Sequence, residues 1–155
     1  MSATEASEAR TSVGPIQIGV VLLALATAGI HLYVFLIEGF LGDGSMLPIY
    51  QLLFVGNFLG YITLVVALYF IPPLASFRPI VRMLLMAMAT AAIISYFYVG
   101  VTDTIGNIDK LIEVLLIALL LIDAGIFRSR EDAASWGPVA GIVMFLALYA
   151  LGLLP

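Results

Sequence analysis

The side chains best suited to chemistry in this chain are polar groups placed inside long apolar runs. His31 is the sole histidine, and Glu38 follows it by seven residues, two helical turns along the same face. Asn57 occupies a similar depth in the next apolar run, while Tyr96 and Glu113 belong to later runs. A charged side chain at membrane depth is costly unless it is paired or hydrated, so each such residue is a functional hypothesis.

For His31 the residue type leaves four interpretations open. These are a haem ligand, a metal ligand, a proton-transfer group, and a histidine whose hydrogen bonds join neighbouring helices. The last of the four is the simplest. A b-type haem usually takes two axial ligands, so Met86, Met88 or a second chain would have to supply the other one. Haem b bound through His31 is therefore one hypothesis for a cofactor, and we predict no metal site.

Three charged residues follow one another closely near the start of the fourth run. Asp109 and Glu113 lie four residues apart on one helical face, with Lys110 beside them to neutralise their charge. We expect a solvated helix start, where acidic residues complement the helix dipole. The alternative is a functional carboxylate pair. Asp123, near the other end of the run, is expected to pair with Arg82, Arg128 or Arg130.

The composition predicts the class of protein that must position these groups. Of 155 residues, 63% are hydrophobic and 10% are charged, whereas soluble domains carry roughly 25% charged residues. The mean hydropathy is +1.19. We therefore predict an all-α integral membrane bundle of about five transmembrane helices, spanning about 15–40, 48–71, 80–101, 108–127 and 136–154. Residues 1–12 are predicted to be a disordered cytoplasmic tail, and 13–155 a single transmembrane domain.

The basic residues predict the orientation of this bundle. Five arginines fall in the tail and in the loops after the second and fourth runs, and only Lys110 falls on the other side. By the positive-inside rule the amino terminus is cytoplasmic and the carboxyl terminus outside, in a multi-pass protein of a prokaryotic cell membrane. Counting about 1.5 Å per residue, His31 then lies about 14 Å below the outer helix end. The polar groups are thus expected to line an outward-opening pocket with His31 and Asn57 at its floor, together with Gln51, Ser95 and Tyr98.

Small residues and leucines indicate how the helices make contacts. Gly56 with Gly60, and Gly137 with Gly141, both have GxxxG spacing. We interpret these pairs as packing within the chain, or as contacts for other membrane subunits or for self-association. The run Leu115–Leu121 is interpreted as a wall facing lipid. The acidic net charge of −4 argues against a nucleic-acid partner.

Three segments carry a resemblance to other proteins. They are GIHLY at 29–33, NFLGY at 57–61 followed by ALY at 67–69, and IDKLIE at 108–113. Together they resemble a group of small uncharacterised prokaryotic multi-span membrane proteins with no established activity. The resemblance implies a fold of four to five spans and attention to His31, Asn57 and Glu113.

Nothing in the sequence predicts an enzyme acting alone. The chain has no cysteine and no GxSxG, P-loop or HExxH motif. The leading hypothesis is a non-catalytic subunit of a larger membrane complex, such as a respiratory or other electron-transfer complex. The alternatives are a small b-type haem protein using His31, and a proton or cation pathway through His31, Glu38 and Glu113.

Overall fold

The structure, a computed structural model, describes residues 14–100, 103–125 and 133–154, and these form an all-α bundle. The prediction of five helices is confirmed for this part of the chain, whereas the predicted disordered tail lies outside it. The helices are α1 Pro15–Val34, α2 Pro48–Tyr69, α3 Arg78–Val99, α4 Thr104–Asp123 and α5 Gly137–Ala150. A π-helical segment, Phe35–Phe40, extends α1, and short 3-10 turns, Pro72–Phe77 and Ala133–Trp136, precede α3 and α5.

Proline and one aspartate determine where these helices begin. A proline lies in the first turn of α1, α2, α3 and α5, where its missing N–H leaves no hydrogen bond unmade. Helix α4 begins instead with Asp103, whose carboxylate accepts a hydrogen bond from the backbone N–H of Gly106 at 2.7 Å. This N-cap starts α4 at Thr104 rather than near Ile108, so the following charged residues lie one turn deeper than expected.

Three helical segments are long and apolar enough to cross a membrane by length and composition. They are Pro15–Phe40, Pro48–Tyr69 and Pro72–Val99, with 26, 22 and 28 residues. Helix α5 is also apolar but has only 14 residues. Helix α4 has 20 residues and carries four charged side chains. The protein is therefore a helical bundle with apolar faces suited to lipid.

The first four helices form a closed ring. Helix α1 contacts α2 and α4, and α3 contacts the same two helices from the opposite side. The ring encloses an apolar core that includes Val20, Leu68 and Leu85. Leu116 and Leu120 are fully buried in this core, whereas Leu115, on another face of α4, is exposed. The interpretation of Leu115–Leu121 as a continuous lipid-facing wall is therefore wrong, because α4 closes the ring against α1.

Helix α5 packs outside the ring against α3 and, apart from the turn that precedes it, touches no other described element. The small residues make this contact close. A Cβ atom added at Gly137 would lie 2.6 Å from Cβ of Met86. A similar close approach joins α2 to α3, where a Cβ at Gly60 would lie 2.5 Å from Sδ of Met88. Three glycines of the GxxxG pairs, Gly60, Gly137 and Gly141, thus pack closely within the chain, as one of the two interpretations predicted, whereas Gly56 faces open space. Contacts with other subunits or self-association stay a prediction.

A matched pair of glycine substitutions measures this packing. A Cβ at Gly141 would lie 2.5 Å from Cβ of Thr90 and 2.6 Å from the carbonyl oxygen of Ala87, and that backbone atom cannot move aside easily. We expect Gly141→Ala to lower the free energy of unfolding by roughly 1–3 kcal/mol, as overpacking does. Gly56→Ala meets no atom within 4 Å and should be neutral or slightly stabilising. SDS titration in mixed micelles compares the two, and equal midpoints would contradict the described α3–α5 contact.

At the end of the bundle remote from the α1–α2 connection, an ion pair joins α3 to α4. Nη2 of Arg82 lies 2.9 Å from Oδ2 of Asp123, and the Tyr69 hydroxyl donates a hydrogen bond to the same oxygen at 2.9 Å. The prediction that Asp123 pairs with one of three arginines is confirmed for Arg82. Asp123 therefore has a structural role, because its contacts link α2, α3 and α4.

Candidate functional site

An ionisable cluster is buried where α1, α2 and α4 meet. Asp109 is 3% exposed, Lys110 7% and Glu113 0%. Nζ of Lys110 lies 2.9 Å from Oδ2 of Asp109 and 2.7 Å from Oε2 of Glu113. The expectation of a solvated helix start is therefore wrong. The earlier start of α4 moves these residues into the bundle, where α1 and α2 cover them.

The remaining carboxylate oxygens of the cluster accept hydrogen bonds from hydroxyl groups on α1 and α2. Thr27 donates to Oδ1 of Asp109 at 2.6 Å, and Tyr61 donates to Oε1 of Glu113 at 2.7 Å. Every oxygen of the two acids thus has a donor. Buried charges persist only when they are paired and hydrogen-bonded in this way.

His31 lies on α1 beside the cluster and is 3% exposed. Its Nδ1 is 2.9 Å from the backbone carbonyl oxygen of Thr27 and 3.8 Å from Oδ2 of Asp109. A carbonyl oxygen only accepts, so Nδ1 carries a hydrogen, and in the neutral ring Nε2 holds a lone pair. No hydrogen bond to Nε2 forms within residues 14–100, 103–125 and 133–154. The hydrogen bond of His31 is therefore within its own helix and not between helices.

A cavity of about 610 Å³ adjoins this cluster at the end of the bundle that holds the α1–α2 and α3–α4 connections. Ligand pockets usually enclose about 300–1,000 Å³. Its polar and charged lining residues are His31, Glu38, Ser45, Tyr50, Asn57, Ser95, Tyr96, Asp103, Asp109 and Lys110. Apolar side chains such as Phe54, Met88 and Met144 complete the wall.

The structure brings together most of the predicted pocket residues. His31, Glu38, Asn57, Ser95 and Tyr96 all line the cavity, and Glu38, in the π-helical segment, is exposed at its rim. Glu113 lies behind the cavity wall, where Lys110 and Tyr61 hold it.

Two of the predicted pocket residues point elsewhere. The Gln51 side chain donates to the carbonyl oxygen of Gly39 at 3.2 Å. The Tyr98 ring packs on Phe145 and Tyr149 of α5.

The Tyr96 side chain connects the cavity to the cluster. Its hydroxyl oxygen accepts a hydrogen bond from the backbone N–H of Asp103 at 3.0 Å and lies 3.1 Å from Oδ1 of Asn107. These bonds fix the ring so that the Lys110 ammonium lies 5.7 Å from its centroid. The contact is a cation–π interaction, which supports the one positive charge of the cluster.

Sequence reasoning did not assign Thr27, Tyr61 or the burial of Lys110 to the site. Thr27 precedes His31 by four residues, and Tyr61 follows Asn57 by four, so helical spacing placed both on the correct faces. That signal was available and was not used.

The same geometry creates a set of groups able to hold a metal ion. Ligand atoms of His31, Asp109 and Glu113 all lie within 4.8 Å of one another. We predicted no metal here, and an ion bound by both carboxylates would have to displace the Lys110 ammonium that contacts both.

For the haem hypothesis, the two candidate methionines lie in different places. Met88 lines the cavity together with His31, whereas Met86 is fully buried and meets Gly137. Met86 therefore has no access to the cavity side of His31. A haem bound by His31 stays a prediction.

Comparisons with known proteins leave the geometry as the basis for any functional assignment. Neither the cluster nor the cavity can be transferred from a relative of known activity, because none was found. No protein-family model matches the chain, and neither a curated protein nor a solved structure matches it.

Proposed function

We propose that the protein is a proton-coupled carrier that binds a small solute in its cavity and one proton on the His31–Asp109–Lys110–Glu113 cluster. The single observation that supports this is a buried cluster of two carboxyl groups and one amine beside a cavity of ligand size. The proposal places the bundle in a prokaryotic cell membrane as a multi-pass protein of five spans, with the amino terminus in the cytoplasm.

The charge of the cluster is the first step of the argument. When both acids, Asp109 and Glu113, are ionised, they face one ammonium, Lys110, and a neutral His31. That state leaves one negative charge in a buried site, which is unfavourable. A single proton taken up by the cluster removes it. Because the four groups are in contact, that proton belongs to the cluster as a whole.

Access to the cluster is the second step. His31, Asp109 and Lys110 all line the cavity, so a solute there lies against the proton-binding groups. Towards the other end of the bundle, buried apolar side chains such as Leu68, Leu116 and Leu120 separate the cluster from the Arg82–Asp123 pair. A site that is open to one end of the bundle suits a carrier with alternating access better than a continuous proton or cation channel.

Two earlier hypotheses stay predictions beside this proposal. The pathway through His31, Glu38 and Glu113 shares its residues with the carrier, but the described residues offer no polar continuation beyond Glu113. The interpretation as a non-catalytic subunit of an electron-transfer complex has no described feature in its favour. The glycine contacts that it invoked at Gly60, Gly137 and Gly141 are used within the chain.

Proteoliposomes with an internal pH dye and an imposed pH gradient test the carrier function. A panel of small amines, quaternary ammonium ions, carboxylates and sugars is added outside, with protein-free vesicles as the blank. We expect at least one solute class to move protons only when the protein is present, and Glu113→Gln to abolish this, because a neutral amide leaves no charge for the proton to balance.

The matched control is Asp43→Asn, which also changes a carboxylate into an amide, but at an exposed position outside the cavity lining, and it should retain proton coupling. If no solute in the panel moves protons faster than in protein-free vesicles, the proposal is overturned. Equal coupling in the Glu113→Gln variant and in the wild type would overturn it as well.

A further inference from the structure

We infer that the cavity selects a primary organic ammonium ion with an apolar body, and that its N–H group and the transported proton compete for Nε2 of His31. The inference rests on the proposed function only in identifying the cavity as the solute site. It names the chemical class of solute and the atom that recognises it.

The charge of the cavity wall favours a cation. Three carboxylates line it, from Glu38, Asp103 and Asp109, against the single ammonium of Lys110. That ammonium is already held by Asp109 and Glu113 at 2.9 and 2.7 Å. A second cation therefore meets a net negative wall, whereas an anion would have to take Lys110 from two partners that bind it.

The apolar part of the wall favours a carbon body on the solute. Rings of Tyr50, Phe54 and Tyr96 and thioethers of Met46, Met88 and Met144 surround the space. Aromatic faces attract cations through the ring quadrupole, and thioether side chains adapt to irregular apolar shapes. The cavity therefore matches an amphiphilic cation better than a hydrated inorganic ion.

The Nε2 atom of His31 identifies the polar end of the solute. The ring is 97% removed from solvent, lies in the cavity wall, and keeps its Nδ1 hydrogen on the Thr27 carbonyl oxygen. Within the described chain no hydrogen bond to Nε2 is formed. Its lone pair is therefore available to a donor in the cavity. An ammonium N–H satisfies it directly, and a quaternary ammonium, which has no N–H, does not.

The same nitrogen links solute binding to pH. The charged and titratable groups that face His31 are Asp109, Lys110 and Glu113 on α4 and Tyr61 on α2, with Glu38 at the rim of its own helix. When a proton occupies Nε2, the cluster is neutral and the acceptor is gone. The ammonium solute should therefore bind more weakly as the pH falls, which is the exchange that a proton-coupled carrier needs.

Equilibrium dialysis of the purified full chain in detergent tests the inference with four probes that share one phenylethyl body. The probes are 2-phenylethylammonium, its trimethylammonium analogue, 2-phenylethanol and 3-phenylpropionate. We expect the primary ammonium to bind tightest at pH 8. The trimethylammonium probe should bind about tenfold more weakly, the expected loss for one charge-assisted hydrogen bond. The alcohol and the carboxylate should bind more weakly still.

Two further measurements separate the outcomes. Because a proton competes for one site, the wild-type affinity for 2-phenylethylammonium should fall as the pH is lowered from 8, by up to about tenfold for each pH unit once the proton is bound. His31→Gln should bind the probe weakly and without this pH dependence. The wild-type probe series decides the question even if that variant does not fold.

Tightest binding by 3-phenylpropionate would identify Lys110 as the anchor and overturn the inference. Equal binding of the two cationic probes would remove the role of Nε2. Because this experiment measures binding and not flux, its failure leaves the proton-coupling result standing. Correct binding without solute-driven proton movement would overturn the carrier function instead.

Discussion

Lys110→Met is expected to lower the free energy of unfolding by about 3–5 kcal/mol, the usual cost of removing one partner of a buried ion pair. Two buried carboxylates, Asp109 and Glu113, would be left without their only counter-ion in the cluster. The side chain of methionine fills a similar volume, so the loss reports charge and not packing. SDS titration of the purified protein, followed by far-UV circular dichroism, measures it.

The second substitution Glu113→Gln serves as the control in a double-mutant cycle. Added to Lys110→Met, it removes one of the two carboxylates that have lost their counter-ion. The double variant should therefore be more stable than Lys110→Met alone. That sign, a loss partly restored by a second change, distinguishes charge balance from local misfolding. Independent, additive losses would show that Lys110 does not neutralise the two acids.

Arg82→Met should cost about 3 kcal/mol by the same mechanism at the other end of the bundle. Arg82 and Asp123 side chains are 11% and 8% exposed, and Tyr69 contributes a second hydrogen bond to the same carboxylate oxygen. The variant leaves Asp123 charged and mostly buried between α2, α3 and α4. The midpoint of SDS unfolding gives the loss.

Arg78→Met is the matched control for this prediction, because the two arginines lie four residues apart on α3. Nε of Arg78 donates to the carbonyl oxygen of Leu68 at 3.1 Å, a contact worth about 1 kcal/mol. Arg82→Met should therefore lose clearly more stability than Arg78→Met. If both lose the same stability, Asp123 is not held by Arg82.

Much of the fold followed from the sequence because membranes restrict structure to few solutions. Apolar runs of helical length, ended by prolines and glycines, predicted five helices, and five are present in the described chain. Depth along a helix is also a one-dimensional quantity. Counting residues from the loops was enough to bring His31, Asn57 and Tyr96 to one cavity.

The site itself needed information that a single sequence does not carry. Depth does not say which helices are neighbours, so the contacts of Asp109 with Thr27 and of Glu113 with Tyr61 were not predicted. The misplacement of the α4 start had a local cause. The N-cap at Asp103 adds one turn to the helix, and this turn changes the charged residues from a solvated end into a buried cluster.

The position of α5 has a consequence for what the end of the chain contributes. Because α5 contacts α3 alone among the five helices, the contacts that close the ring of α1 to α4 do not include it. The acid–base cluster likewise draws its residues from α1, α2 and α4. Met144 and Leu148 of α5 contribute to the cavity wall. A chain truncated before α5 should therefore keep its charges paired but lose one side of the binding chamber.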